Sequence, residues 1–174
     1  HGIPLSVIFL DLDGFKGIND QYGHLAGSGT LTEVGGILAL GVRESDILAR
    51  YGGDEFVVVL PEIKRSSDAA NVAAKILETV AQPIKVEDRE LNLTPSVGIS
   101  VFPDDGRDAE TLIRNADAAM YHAKETGRAN YQFFTEQMNQ AASRRHALES
   151  DLRRALSKGE LRVHYQRVVD AAGK

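Results

Sequence analysis

The stretch "ARYGGDEFVVVL", residues 49–60, decides how this chain is read. An apolar run breaks at Gly52, Gly53, Asp54 and Glu55 and then resumes. Residues 47–51 and 56–60 carry the apolar and β-branched side chains of two strands, and the glycines between them predict a hairpin. Pro61 stops the second strand, because it has no N–H to give to a ladder. Glycines followed by acids are ordinary turn chemistry. The same turn is also a way to hold Asp54 and Glu55 out at a sheet edge.

Upstream, "LSVIFL" at residues 5–10 is a nearly continuous apolar run, which predicts a central strand buried on both faces. It ends at Asp11, Leu12, Asp13 and Gly14. If that strand lies beside the hairpin, Asp11 and Asp13 meet Asp54 and Glu55 at one edge. Hard oxygen donors of this kind suit Mg2+, which binds one or two carboxylates plus substrate phosphates. The chain has no cysteine, and its histidines lack paired metal-ligand spacing, which argues against zinc. Between the acidic sites, Asp13-Gly14-Phe15-Lys16-Gly17 reads as a loop whose glycines let backbone N–H groups turn toward an anion.

Further candidates each have two readings. Lys124 and Arg128, in "YHAKETGRANY", fall on one side of a helix end. They either complement the helix C-terminal dipole or meet a polyphosphate. Asn19, with Asp20 and His24, either caps and turns the chain or presents a donor and an acceptor to a base edge. Arg43 and Asp46 form a simple i,i+3 pair, or an arginine fork and a carboxylate for a guanine.

The remaining pattern supplies the scaffold. Leu31, Val34, Ile37, Leu38 and Val42 predict a helix over 27–42. A second helix, capped by Ser66, Ser67 and Asp68, runs to about Val80 with Ala70, Ala73, Ala74, Leu77 and Val80 inward. Residues 85–93 and 95–102 predict another strand pair. Asp108 starts a helix through Leu112, Ile113, Ala116, Ala119, Met120 and Ala123, closed near Gly127. Residues 131–134 form a last short strand. Residues 136–158 predict a charged linker helix with a sparse stripe of Met138, Leu148, Leu152 and Leu156. Gly159 ends it, and 161–166 begin a new strand. Helices mixed with hairpins predict an α+β domain with a mostly antiparallel sheet.

Composition narrows the function. A chain of 174 residues is long enough for one compact domain with a buried core and a fragment of a second. Its 43% hydrophobic and 26% charged content is that of an ordinary soluble domain. No apolar run approaches the ~18 residues of a membrane span, so the expected location is cytoplasmic, with anchoring of a longer parent left open. A net charge of −5 argues against a surface that coats nucleic acid. An anionic nucleotide would then need a metal ion and local Lys and Arg.

Three stretches in order resemble the GGDEF family of diguanylate cyclases. They are "FLDLDGFKGINDQYGH" at 9–24, "RYGGDEF" at 50–56 and "ADAAMYHAKETGRANY" at 116–131. The resemblance spans about residues 3–135 and implies a palm-type, ferredoxin-like sheet as in nucleotide cyclases. It implies condensation of two GTP into cyclic di-GMP with Mg2+ or Mn2+, in a homodimer that brings two GTP head to head. It further implies that Asp11, the Leu12 carbonyl and Asp54 hold the metal, with Asp54 the base and Glu55 the second signature acid. Phe15, Lys16, Gly52 and Gly53 would line the phosphates, Lys124 and Arg128 would reach the terminal phosphates, and Asn19 would read guanine. Arg43 and Asp46 match the family's RxxD inhibitory site for cyclic di-GMP.

The chain departs from the family at Ser28. "GHLAGSG" places a serine where the family has an aspartate that accepts from guanine. A hydroxyl cannot take both guanine donors as a carboxylate does. The alternative to an active cyclase is therefore a weak or inactive module that binds GTP or cyclic di-GMP and regulates a neighbour. A dimerisation domain with no ligand role is the third reading. The tail, "LRVHYQRVVD" at 161–170, resembles the opening strand of an EAL phosphodiesterase domain, with Arg167 where that family has proline and Gln166 at a substrate-contacting position. The expected organisation is a GGDEF domain truncated at its N-terminus over 1–135, a linker helix over 136–158, and the first strand of an EAL domain over 159–174.

Overall fold

The computed structural model describes residues 4–165. The chain divides into two units, His1–Asn139 and Gln140–Lys174. In the first, the order is β1 (Leu5–Asp13), α1 (Phe15–Gly41), β2 (Ile47–Gly52), β3 (Glu55–Pro61), α2 (Ser66–Val80), β4 (Ile84–Val86), β5 (Arg89–Leu91), β6 (Thr94–Phe102), α3 (Ala109–Glu125) and β7 (Tyr131–Phe133). A last helix, α4 (Glu136–Ser157), starts there and supplies the regular structure of the second unit among the described residues. Along it Leu148, Leu152 and Leu156 are exposed. Leu161 to Tyr165 have no regular secondary structure, and Gln166 and Arg167 lie outside the described residues.

The main sheet has the order β2-β3-β1-β6-β7, antiparallel except where β6 meets β7. The apolar β1 therefore sits at its centre, as its continuous run predicts. Ile8 and Leu10 are fully buried, each worth about 1.5–3 kcal/mol. Strand alternation sorts the side chains into two layers. Ile8, Leu10, Leu12, Phe56, Val58, Val97 and Ile99 join Val34 and Leu38 of α1 and Ala73 and Ile76 of α2. Val7, Phe9 and Val57 join Leu112, Ala116 and Met120 of α3. Gly98 explains how closely α3 lies on the sheet. A Cβ there would stand 2.0 Å from the Ala116 carbonyl oxygen and 2.1 Å from the Met120 nitrogen, so any larger residue would push the helix away.

The predicted α+β class and the hairpin hold, but three expectations are corrected. The segment read as an anion loop is the start of a helix. Gly14 is left-handed (φ 81), α1 begins at Phe15, and it kinks at Gly23 (φ 84). Residues 15–22 hide this because their apolar positions, Phe15 and Ile18, are few. The strand pair over 85–93 and 95–102 is also wrong. Residues 84–91 fold on themselves as the β4–β5 hairpin, and β6 pairs with β1 instead. In α2 the buried residues are Ala69, Ala73, Ile76 and Val80, with Leu77 partly buried against the same core as expected, while Ala74 faces solvent. The helix starts one residue earlier than its serines suggest: Asp68 accepts from the Lys64 and Arg65 backbone N–H groups at 2.9 and 3.1 Å.

Candidate functional site

Register brings the two acidic stretches together. In the β1–β3 ladder Asp11 stands directly opposite Glu55. Both belong to the alternation that carries Val7, Phe9 and Val57 toward α3. The Leu12 N–H donates to the Asp54 carbonyl at 3.3 Å. In an antiparallel strand a residue's N–H and C=O point to the same side, so the Leu12 carbonyl also faces the turn. The turn is held by Arg50, whose guanidinium donates to the Gly53 carbonyl through Nε at 3.0 Å and Nη2 at 2.8 Å. Gly53 is left-handed (φ 53), a conformation that favours glycine.

Like charges opposite one another in a ladder repel, and α3 supplies the compensation. Its C-terminal turn places Lys124 Nζ 2.7 Å from Asp11 Oδ1. Burial still pushes the Asp11 carboxyl above the ordinary aspartate value, against the pull of Lys124, with Asp54 and Asp13 adding to the push. Burial also raises the Glu55 carboxyl, with Asp117, Asp11 and Asp54 next in effect. Asp117 is raised as well, by crowding from surrounding protein although it reaches solvent, with Lys124 opposing and Asp11 adding.

Asp117 is the member of this group that the sequence reading missed. Its signal was available: Asp117 and Lys124 are two helical turns apart, on one face of α3. Among the described residues, no group of three or more acidic or histidine side chains forms a metal site by itself. The donor set nevertheless fits a hard cation that is completed by phosphates: two carboxylates and a carbonyl. The ammonium already resting on Asp11 shows that this carboxylate accommodates positive charge.

Asp13 belongs to a different arrangement. It accepts from Thr94 Oγ1 at 3.0 Å and from Ser96 Oγ at 2.9 Å. Arg128 Nε lies 3.7 Å away, and the Ala129 N–H at 3.4 Å. Arg128 and Ala129 follow Gly127 in three consecutive left-handed residues (φ 120, 61 and 48). That turn brings the exposed Arg128 back over the strand ends beside Asp13.

The other candidates divide. Phe15 is buried in the core, while Lys16 is exposed on the first turn of α1. Asn19 packs against Gly27: a Cβ on Gly27 would stand 2.0 Å from Asn19 Oδ1. The fold thus places Asn19 beside the segment that carries Ser28, which is exposed. Gly52 ends β2 at the turn. Arg43 and Asp46 are not part of this cluster and lie beyond the far end of β2. There the Asp46 carboxylate accepts the Arg43 backbone N–H at 2.8 Å, and the Arg43 side chain is exposed.

Residues 1–130 match the family model described as diguanylate cyclase, GGDEF domain. A bifunctional diguanylate cyclase/cyclic di-GMP phosphodiesterase of Pseudomonas aeruginosa, MucR, is 45% identical over 161 residues, covering 92% of this chain and 23% of that protein. The cyclic di-GMP phosphodiesterase NbdA of the same organism is 39% identical over 172 residues, covering 99% of this chain and 22% of that protein. The chain thus spans less than a quarter of either relative. An EAL/GGDEF domain protein from M. capsulatus superposes with a TM-score of 0.73 at 46% identity, covering 77% of this chain and 86% of that one.

Proposed function

This chain belongs to the GGDEF, diguanylate cyclase-type, domain family, and on that premise we propose that it condenses two GTP into cyclic di-GMP within a longer signalling protein. The observation that carries the reading is the buried Asp11 set opposite Glu55, beside the Gly52-Gly53 turn, with the Lys124 ammonium upon it. Asp11, the Leu12 carbonyl and Asp54 would hold Mg2+ or Mn2+. When bound, the ion would neutralise phosphate charge and stabilise charge that develops in phosphoryl transfer.

The chain's own residues do the rest. The glycine turn lets a triphosphate approach the backbone closely. Lys16, Lys124 and Arg128 bind its charge, and Asn19 orients the guanine. The Asp54 carboxylate accepts the proton of the attacking 3′-hydroxyl, and Glu55 keeps the surrounding field negative beside the cation. Each protomer presents one GTP, so turnover requires two copies and depends on protein concentration. Arg43 and Asp46, remote from the turn, would bind the product and inhibit. The tail from residue 159 would open an EAL phosphodiesterase domain.

The test is incubation with GTP and Mg2+ at high protein concentration, reading pyrophosphate and cyclic di-GMP. Absence of both products, with GTP bound, refutes the cyclase reading. Ser28 favours a second reading, in which the domain binds nucleotide weakly and regulates its neighbour. In that case GTP changes phosphodiesterase activity of the longer protein without being consumed.

A further inference from the structure

We propose that Lys124 occupies the divalent-cation position on Asp11 in the nucleotide-free protein, so that metal and nucleotide can bind well only together. The inference rests on the metal site proposed above and adds a coupling to it. Lys124 Nζ lies 2.7 Å from Asp11 Oδ1, with only 26% and 11% of the two side chains exposed. That is a charge-assisted contact sheltered from water, stronger than an exposed pair. Asp11 also faces Glu55 across the ladder, and Asp54 and Asp117 act on the same group. In the free state the Lys124 ammonium is the cation that rests on Asp11 at this acidic edge.

A metal ion arriving alone displaces the ammonium toward Glu55 and Asp117, acids that already act on it, and brings no added anion to replace the close Asp11 contact that is lost. A metal ion arriving with a triphosphate offers Lys124 a second partner, so the displaced ammonium is paired again. The cost of breaking the Lys124–Asp11 pair is therefore charged to metal alone and relieved by nucleotide. By linkage, metal and nucleotide then tighten each other by the same factor. Lys124 thus acts as a positioning residue for the metal site besides its phosphate contact.

The experiment measures binding of Mn2+ alone to the full chain by calorimetry or by the signal of the free ion, for the native protein, Lys124→Gln, Lys124→Met and Lys124→Arg. Circular dichroism checks that each variant is folded. Removing the charge should tighten nucleotide-free Mn2+ binding about tenfold or more, the scale of one charged hydrogen bond. Lys124→Arg should keep it weak. Adding Asp11→Asn to Lys124→Gln should abolish the gain. A non-hydrolysable GTP analogue should tighten Mn2+ more in the native protein than in Lys124→Gln. Unchanged or weaker Mn2+ binding in both neutral variants overturns the proposal, as does a gain that survives Asp11→Asn. The cyclase reading fails separately: it stands or falls on product formation by the native chain.

Discussion

Asp11 and Asp13 share one strand and one face, yet their surroundings differ in kind. Asp13 is enclosed by groups that give it hydrogen bonds: Thr94, Ser96, the Ala129 N–H, and Arg128 nearby. Asp11 has one ammonium and is otherwise set among acids. The first arrangement is that of a clamp, which ties β1 to β6 and to the turn after α3. The second leaves a carboxylate held at the edge of instability, as functional groups often are. The difference teaches that an acid at a strand end acquires its role from what crosses over it. Here α3 contributes Lys124 to one aspartate, and the turn after α3 contributes Arg128 to the other.

The largest expected effect tests Asp11. Asp11→Asn should lower pyrophosphate release ~10²–10³-fold, the scale on which removing a charge-stabilising group acts, while the urea midpoint stays close to native. An equal loss of activity and stability would mean that both aspartates are clamps. Next, Asp13→Ala should lower unfolding free energy by about 2–3 kcal/mol, since hydroxyl and backbone donors lose a charged acceptor. Chemical denaturation measures it. A variant as stable as the native protein would remove Asp13 from the clamp.

Smaller effects sharpen the contrast. Ser28→Asp should tighten GTP binding about tenfold, the value of roughly one charged hydrogen bond, with less gain for ATP. Equal gain for both nucleotides would show that Ser28 does not face guanine. The smallest effect is in stability against pH. The Glu55 carboxyl is raised in the folded protein, so the native state binds more protons than the unfolded chain between the two pKa values. Stability therefore falls as pH rises from the ordinary glutamate value through the raised one. Glu55→Gln should raise the melting temperature at neutral pH, and the advantage should vanish below the ordinary glutamate value. A gain that is constant with pH would point to packing rather than charge.

Much of the site was legible because its parts are local. The hairpin turn, the strand ending in Asp11 and Lys124 near the end of α3 are all short-range patterns, but Arg128, read as one helical turn beyond Lys124, instead follows the helix in a left-handed turn and lies by Asp13. The start of α1 was not legible, since residues 14–17 carry glycines that suit a loop equally well. β6 was misassigned a partner, because alternation predicts a strand but not its neighbour. The helical spacing of Asp117 and Lys124 was there to read, but that Asp117 faces Asp11 and Glu55 was not, because those neighbours come from β1 and β3.

The sequence by itself determined the class of fold, the hairpin, the acids at both strand ends and the departure at Ser28. The first three follow from periodicity, turn chemistry or residue type within a short window, and the departure at Ser28 follows from the resemblance to the GGDEF family. Only the tertiary structure decided which acid meets which base. β1 between β3 and β6 sets Asp11 opposite Glu55, and Gly98 lets α3 lie close enough on that face to bring Lys124 to Asp11. Charge at this site is a property of burial and of neighbours distant in sequence, and those exist only once the layers have packed.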